Sequence, residues 1–143
     1  MNARSGCDDR SLPLSHQFAC LAAIISSVVA RHLPAQTTPP DPVGTWRGTS
    51  LCQVRPSACH DESVVFRITR TTARDSLALD GRKIVNNAEV EMGVLGCRFD
   101  PPSARLTCPI PSGVWQFTIR GDSLVGELRL SDGTRVREVR TGR

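Results

Sequence analysis

From Val43 to the end of the chain, apolar and polar residues alternate in short runs closed off by turn residues every 8 to 14 positions. No window sustains the 3.6-residue period of a helix, so the pattern predicts an all-β domain. Eight strands account for it: residues 43–50, 62–69, 76–85, 89–99, 104–110, 114–120, 123–130 and 134–140. Within the third, Leu79-Asp80-Gly81-Arg82 has the composition of a tight turn and offers an alternative break. Val64, Phe66 and Ile68 share one face of their strand, as do Trp115, Phe117 and Ile119, and again Leu124, Leu128 and Leu130. Arg67, Gln116, Thr118, Glu127 and Arg129 fall on the opposite faces. Side chains alternate across a strand, so an apolar interior and a polar exterior follow.

The connections carry turn chemistry. Asn86-Asn87 tolerates positive φ, Gly121-Asp122 suits a two-residue primed turn, and Asp132-Gly133 is a hairpin signal. Consecutive strands joined so tightly are antiparallel neighbours. An eight-strand up-and-down meander of this kind hides its two edges by closing into a barrel. In the fourth strand Val90, Met92 and Val94 alternate, after which the apolar set switches to Leu95, Cys97 and Phe99. That switch places a bulge or bend at Gly93 or Gly96.

The chain before residue 43 does not share this pattern. Residues 18–30, FACLAAIISSVVA, form a 13-residue apolar run, and Leu33 and Ala35 occupy the small or apolar positions read by a signal peptidase. Residues 1–35 are therefore expected to be a signal peptide cleaved after Ala35, although Asp8 and Asp9 offset Arg4 and Arg10 in its leader. The run falls short of the roughly 20 apolar residues of a bilayer span, so an uncleaved anchor is the lesser alternative and no membrane span is expected after cleavage. Residues 36–42 read as a Pro-rich linker, leaving 43–143 as an exported domain, periplasmic or extracellular.

Charge narrows the partners. After residue 35, 15 basic residues, of which Lys83 is the only lysine, stand against 12 acidic ones. The arginines are spread over alternate strand positions, as on a solvated sheet face. A nucleic-acid surface would cluster them beside stacking aromatics, and the chain has no Tyr at all, so nucleic acid is not an expected partner.

Of the six cysteines, Cys7 and Cys20 leave with the signal and Cys52, Cys59, Cys97 and Cys108 remain. An even set in an oxidising compartment reads as two disulfides, with three possible connectivities. If residues 100–105 form a hairpin tip, Asp100 faces Arg105, Phe99 faces Leu106 and Cys97 faces Cys108. Residues so opposed have Cα atoms about 4.5 Å apart, at the close end of what a disulfide accepts. Cys52 is then left to close the longest loop with Cys59, each closure contributing on the order of 2.5 kcal/mol.

Neither pair has zinc-ligand or C-x-x-C redox spacing, and His60 is the only His after residue 35. A lone loop His is read as solvated. Adjacent Asp61 and Glu62 point to opposite faces where they enter a strand, which does not make an acid–base pair. No enzymatic activity, metal or cofactor is expected.

Gly44, Thr45 and Trp46 at the head of the first strand, the eight-strand meander, and Arg140 near the end of the last together resemble the calycin architecture of lipocalins, avidins and fatty-acid-binding proteins. In lipocalins a G-x-W motif lays a Trp across the closed end of the barrel, beneath an Arg from the final strand. The resemblance thus implies Arg140, or failing it Arg137, as the partner of Trp46. The GTW opening is avidin-like, and its extension GTWRG…C…C.DE is similar to that of small exported bacterial β-barrel domains with no assigned activity.

A small barrel can enclose a ligand, so the first expectation is a non-catalytic binding module for a small, largely apolar molecule. Trp46, Phe66, Trp115 and Phe117 are its candidate interior contacts and His60 a candidate at the rim. The alternative is a structural or protein-interaction domain of the cell envelope whose barrel is filled by its own side chains. In either case a monomer is expected.

Overall fold

The computed structural model describes residues 38–143. The signal-peptide expectation for residues 1–35 lies outside the described residues. Eight strands run in order: β1 (Gly44–Cys52), β2 (Glu62–Arg70), β3 (Ser76–Val85), β4 (Ala88–Asp100), β5 (Arg105–Ile110), β6 (Gly113–Arg120), β7 (Ser123–Leu130) and β8 (Arg135–Gly142). Each pairs antiparallel with the next, and β8 returns to β1, from Arg47 opposite Gly142 to Cys52 opposite Arg137. The meander is therefore a closed barrel. No helix among the described residues is long and apolar enough to cross a membrane.

Local chemistry explains the corners. Asn86, Asn87, Gly121 and Gly133 all take positive φ, as their hairpin turns require. The run from Leu79 to Arg82 does not turn: Leu79 and Gly81 face inward opposite Leu95 and Gly93, while Arg82 Nε donates to Asp80 on the outer face at 2.9 Å. Alternation outweighs turn composition here, because a break would expose Leu79, which is buried. Of the two candidate bends in β4, the structure selects Gly93. Gly81 pairs with Gly93 but Arg82 pairs with Glu91, so Met92 is the extra residue of a bulge, and Gly93 has φ of 127°.

The interior is filled by one cluster of buried side chains, with Trp46, Ile68, Leu79, Leu106, Phe117, Leu124 and Val139 at its centre. Phe66 meets Phe117 edge-on at 5.7 Å. Two glycines allow this density. At Gly126 a Cβ would lie 2.3 Å from the Phe117 ring, and at Gly48 it would lie 2.1 Å from the Arg140 carbonyl. The first lets an aromatic ring cross over the neighbouring strand; the second lets β1 and β8 close.

Trp46 seals one end. It is fully buried, its Nε1 donates to the Pro42 carbonyl at 2.9 Å, and a guanidinium lies 4.5 Å over its ring. That guanidinium belongs to Arg143, not to Arg140 or Arg137, and the β1–β8 register gives the reason. Arg47 opposes Gly142, so the residue across from Trp46 is the next one. Arg140 opposes Thr49 and turns outward to Glu138, while Arg137 lies near the other end, opposite Cys52. Arg143 also donates to the carbonyls of Asp41 and Val43, and Arg70 pairs with Asp41 at 3.0 Å. The last residues of the Pro-rich stretch are thus strapped across the Trp46 end.

Candidate functional site

At the end opposite Trp46, three charged side chains turn into the barrel. Glu62 lies on the inward face with Val64, Phe66 and Ile68, and Arg137 lies on it with Val139 and Thr141. Glu62 bridges Lys83 at 3.3 Å and Arg137 at 3.1 Å, and Arg137 also donates to Ser50 Oγ and the His60 carbonyl. Glu62 and Arg137 are only 14% and 18% exposed, so each depends on the other as a partner for a largely buried charge. Asp61 points the other way. Its carboxylate accepts the Cys52 N–H at 2.8 Å and pairs with Arg55. The Cys52–Cys59 disulfide, with Cα atoms 5.8 Å apart, closes the loop that carries these residues.

The side of the barrel between β4 and β5 is built differently from every other seam. β4 has 13 residues and β5 has 6, and the two pair only at Arg98 with Thr107, Phe99 with Leu106 and Asp100 with Arg105. Immediately beyond, Cys97 and Cys108 are disulfide-bonded across a Cα separation of 4.2 Å. There the strands part. β5 continues through Pro109, which has no N–H to offer a ladder. Residues 88–96 keep their pairing with β3, but no described residue pairs with their other edge.

Between Glu91 and Arg98 this edge is apolar, whereas edges are usually guarded by charge or proline along their length. Val90, Met92 and Val94 are 41%, 45% and 60% exposed, and Val85 across the hairpin is exposed as well. Cβ atoms added at Gly93 or Gly96 would meet nothing within 4 Å. The Met92 methyl group lies 3.6 Å from where a Gly81 Cβ would be, on the inner side. Behind the edge, Glu89 is held by Arg67 and Arg47, and the Arg67 hydrogen bond draws its carboxyl below the ordinary glutamate range. What the arrangement offers is a row of unpaired backbone donors and acceptors about 30 Å long at strand rise, flanked by apolar side chains.

No family model matches the chain, and no curated protein or solved structure matches it either.

The residues singled out from the sequence separate by location. Trp46, Phe66 and Phe117 lie within the packed core. Trp115 is half-buried, stacked on Phe117 at 5.6 Å, and reaches toward the open end. His60 is exposed, with its carbonyl engaged by Arg137. Both disulfides join the expected pairs, Cys97 with Cys108 across the hairpin and the remaining Cys52 with Cys59. Among the described residues, no three His, Cys, Asp or Glu side chains gather as a metal site.

Two clefts flank the barrel. One, of about 660 Å³, runs at the Trp46 end between residues 38–42 and the β2–β3 loop, with Leu77 and Phe99 in its wall. The other, of about 330 Å³, is a polar groove on the outer face over Gln116, Glu127 and Glu138. Each touches the interior cluster at one residue, Leu77 in the first and Val139 in the second.

Two features lie beyond the expectations drawn from the sequence. The inward ion cluster was signalled by Glu62 and Arg137 sharing parity with apolar neighbours. The bare edge was signalled by the unequal lengths of the fourth and fifth strands.

Proposed function

We propose that the chain is a non-catalytic interaction domain, which receives an extended segment of a partner chain on the bare edge of β4. The observation that carries this reading is the edge itself: residues 88–96 expose unpaired backbone beside Val90, Met92 and Val94. Addition of a strand to such an edge draws affinity from main-chain hydrogen bonds and selectivity from alternate side chains. The filled interior supports it too, because the core leaves the candidate contacts Trp46, Phe66 and Phe117 no free face for a ligand. The two disulfides favour an exported setting, outside the reducing cytoplasm. The eight-strand meander and the Arg143–Trp46 stack favour a lipocalin-like architecture adapted to this task.

A second reading keeps the small apolar ligand but moves it to the open end, where Trp115, Val90 and Met92 retain exposed apolar surface above the Glu62 ion cluster. One titration separates the two. A nine-residue peptide of alternating Val and Thr, and the same peptide N-methylated at every residue so that neither edge keeps an N–H, are added to isotopically labelled protein. Edge docking predicts amide shifts confined to residues 88–96 and 108–110 with the plain peptide, and none with the N-methylated one. Equal shifts with both peptides, or shifts around Trp115 with a medium-chain alcohol alone, would support the second reading instead.

A further inference from the structure

The β4 edge is electrically lopsided. Beside the fork Arg98 is exposed, and Arg105 lies further out opposite Asp100 at the hairpin end; neither forms an ion pair among the described residues. Toward the open end Glu91 is exposed and faces Arg82, whose guanidinium is bonded to Asp80, whereas its neighbour Glu89 is fully engaged by Arg67 and Arg47. All three lie on the outer face. Arg98 follows inward Cys97, Arg105 precedes inward Leu106, and Glu91 pairs with outward Arg82. An incoming strand therefore meets positive charge at one end of the slot and negative charge at the other.

We propose that the partner segment is an extended peptide, antiparallel to β4, carrying an acidic residue at its N-terminal end and a basic residue roughly four positions later, with apolar residues between. This rests on the reading of the edge as a docking site. The direction follows from β5: an antiparallel segment continues the line that β5 abandons at Pro109, with its first residue beside the fork. The spacing follows from the bulge. Met92 is an extra residue in β4, so a regular strand beside it covers the stretch from Gly96 to Glu91 in one residue fewer, and both charged positions stay on the outer face. The residues between them face Leu95, Val94 and Gly93, with the Met92 side chain bulged beside them, which calls for apolar side chains on both faces of the peptide. The disulfide marks the inner limit, because beyond Cys97 the edge is already occupied by β5.

The test uses the disulfide-bonded chain and three synthetic nine-residue peptides of identical apolar content. One has Glu first and Lys fifth, one has the two exchanged, and one has Gln at both positions. Fluorescence anisotropy at low salt is expected to rank them in that way, with the Glu-first peptide about fivefold tighter than the Gln peptide and the exchanged one about fivefold weaker, as two exposed ion pairs allow. The differences should collapse at about 1 M salt, where screening is nearly complete. The double variant Glu91→Arg with Arg98→Glu should reverse the order. Equal binding of all three peptides overturns the charge pattern while leaving edge docking intact. No binding of any peptide overturns edge docking itself, and a concentration-dependent dimer in sedimentation that is abolished by Val94→Lys would assign the edge to a second copy of the chain.

Discussion

Trp46 anchors the closed end, since its ring lies beneath Arg143 and its N–H fixes Pro42. Trp46→Ala is expected to cost about 4 kcal/mol in urea unfolding, the usual range for deleting a buried aromatic. Arg143→Ala should cost about 1 kcal/mol, the scale of a partly exposed cation–π contact. The Trp motif was legible in the sequence because Gly44 and Trp46 stand at the head of the first alternating run. Its arginine partner was not, because several arginines crowd the last strand and only the β1–β8 register distinguishes them. The opposed directions of Asp61 and Glu62 were legible from alternation alone, but the inward partners of Glu62 come from strands far away in sequence.

Strands β1 and β8 touch so closely at Gly48 that Gly48→Ala must push the Arg140 backbone away, and a loss of about 3 kcal/mol is expected. Gly96→Ala, on the bare edge, should lie within about 0.5 kcal/mol of the parent. Thermal unfolding of the two variants checks the contrast. At the β4–β5 seam three residue pairs and one disulfide hold the barrel shut. Replacing Cys97 and Cys108 together with Ser should therefore cost about 3 kcal/mol by loop entropy. Hydrogen exchange should accelerate at the β4–β5 hairpin before any other element. The hairpin register could be read from the sequence because residues 100–105 fix it. The split beyond it was hidden, since closure of a meander argues for pairing along every edge and gives no weight to one strand outrunning its neighbour.

Among the described residues, several surface carboxylates are held by arginines and backbone donors. Glu138 beside Arg140, Glu89 beside Arg67 and Asp132 under the Thr134 N–H all have their carboxyl groups drawn below the ordinary range. Groups easier to deprotonate in the folded state add stability above their unfolded pKa values, about 4, and lose it as pH falls through the folded ones. The melting temperature should thus be nearly level from pH 7 to about 5 and decline below about 4, with a shallower decline in Glu138→Gln. The barrel as a whole was legible because alternation, turn residues and cysteine register agree. Its task was not, because the surface proposed to carry it is defined by a missing neighbour. The most direct test follows the amides of residues 88–96 by hydrogen–deuterium exchange, alone and with the Glu-first peptide. Rapid exchange at alternate amides in the free chain and protection of those same amides on binding is the predicted result. Protection already present in the free chain, or none gained with the peptide at saturation, would contradict the assignment of this edge as the docking site.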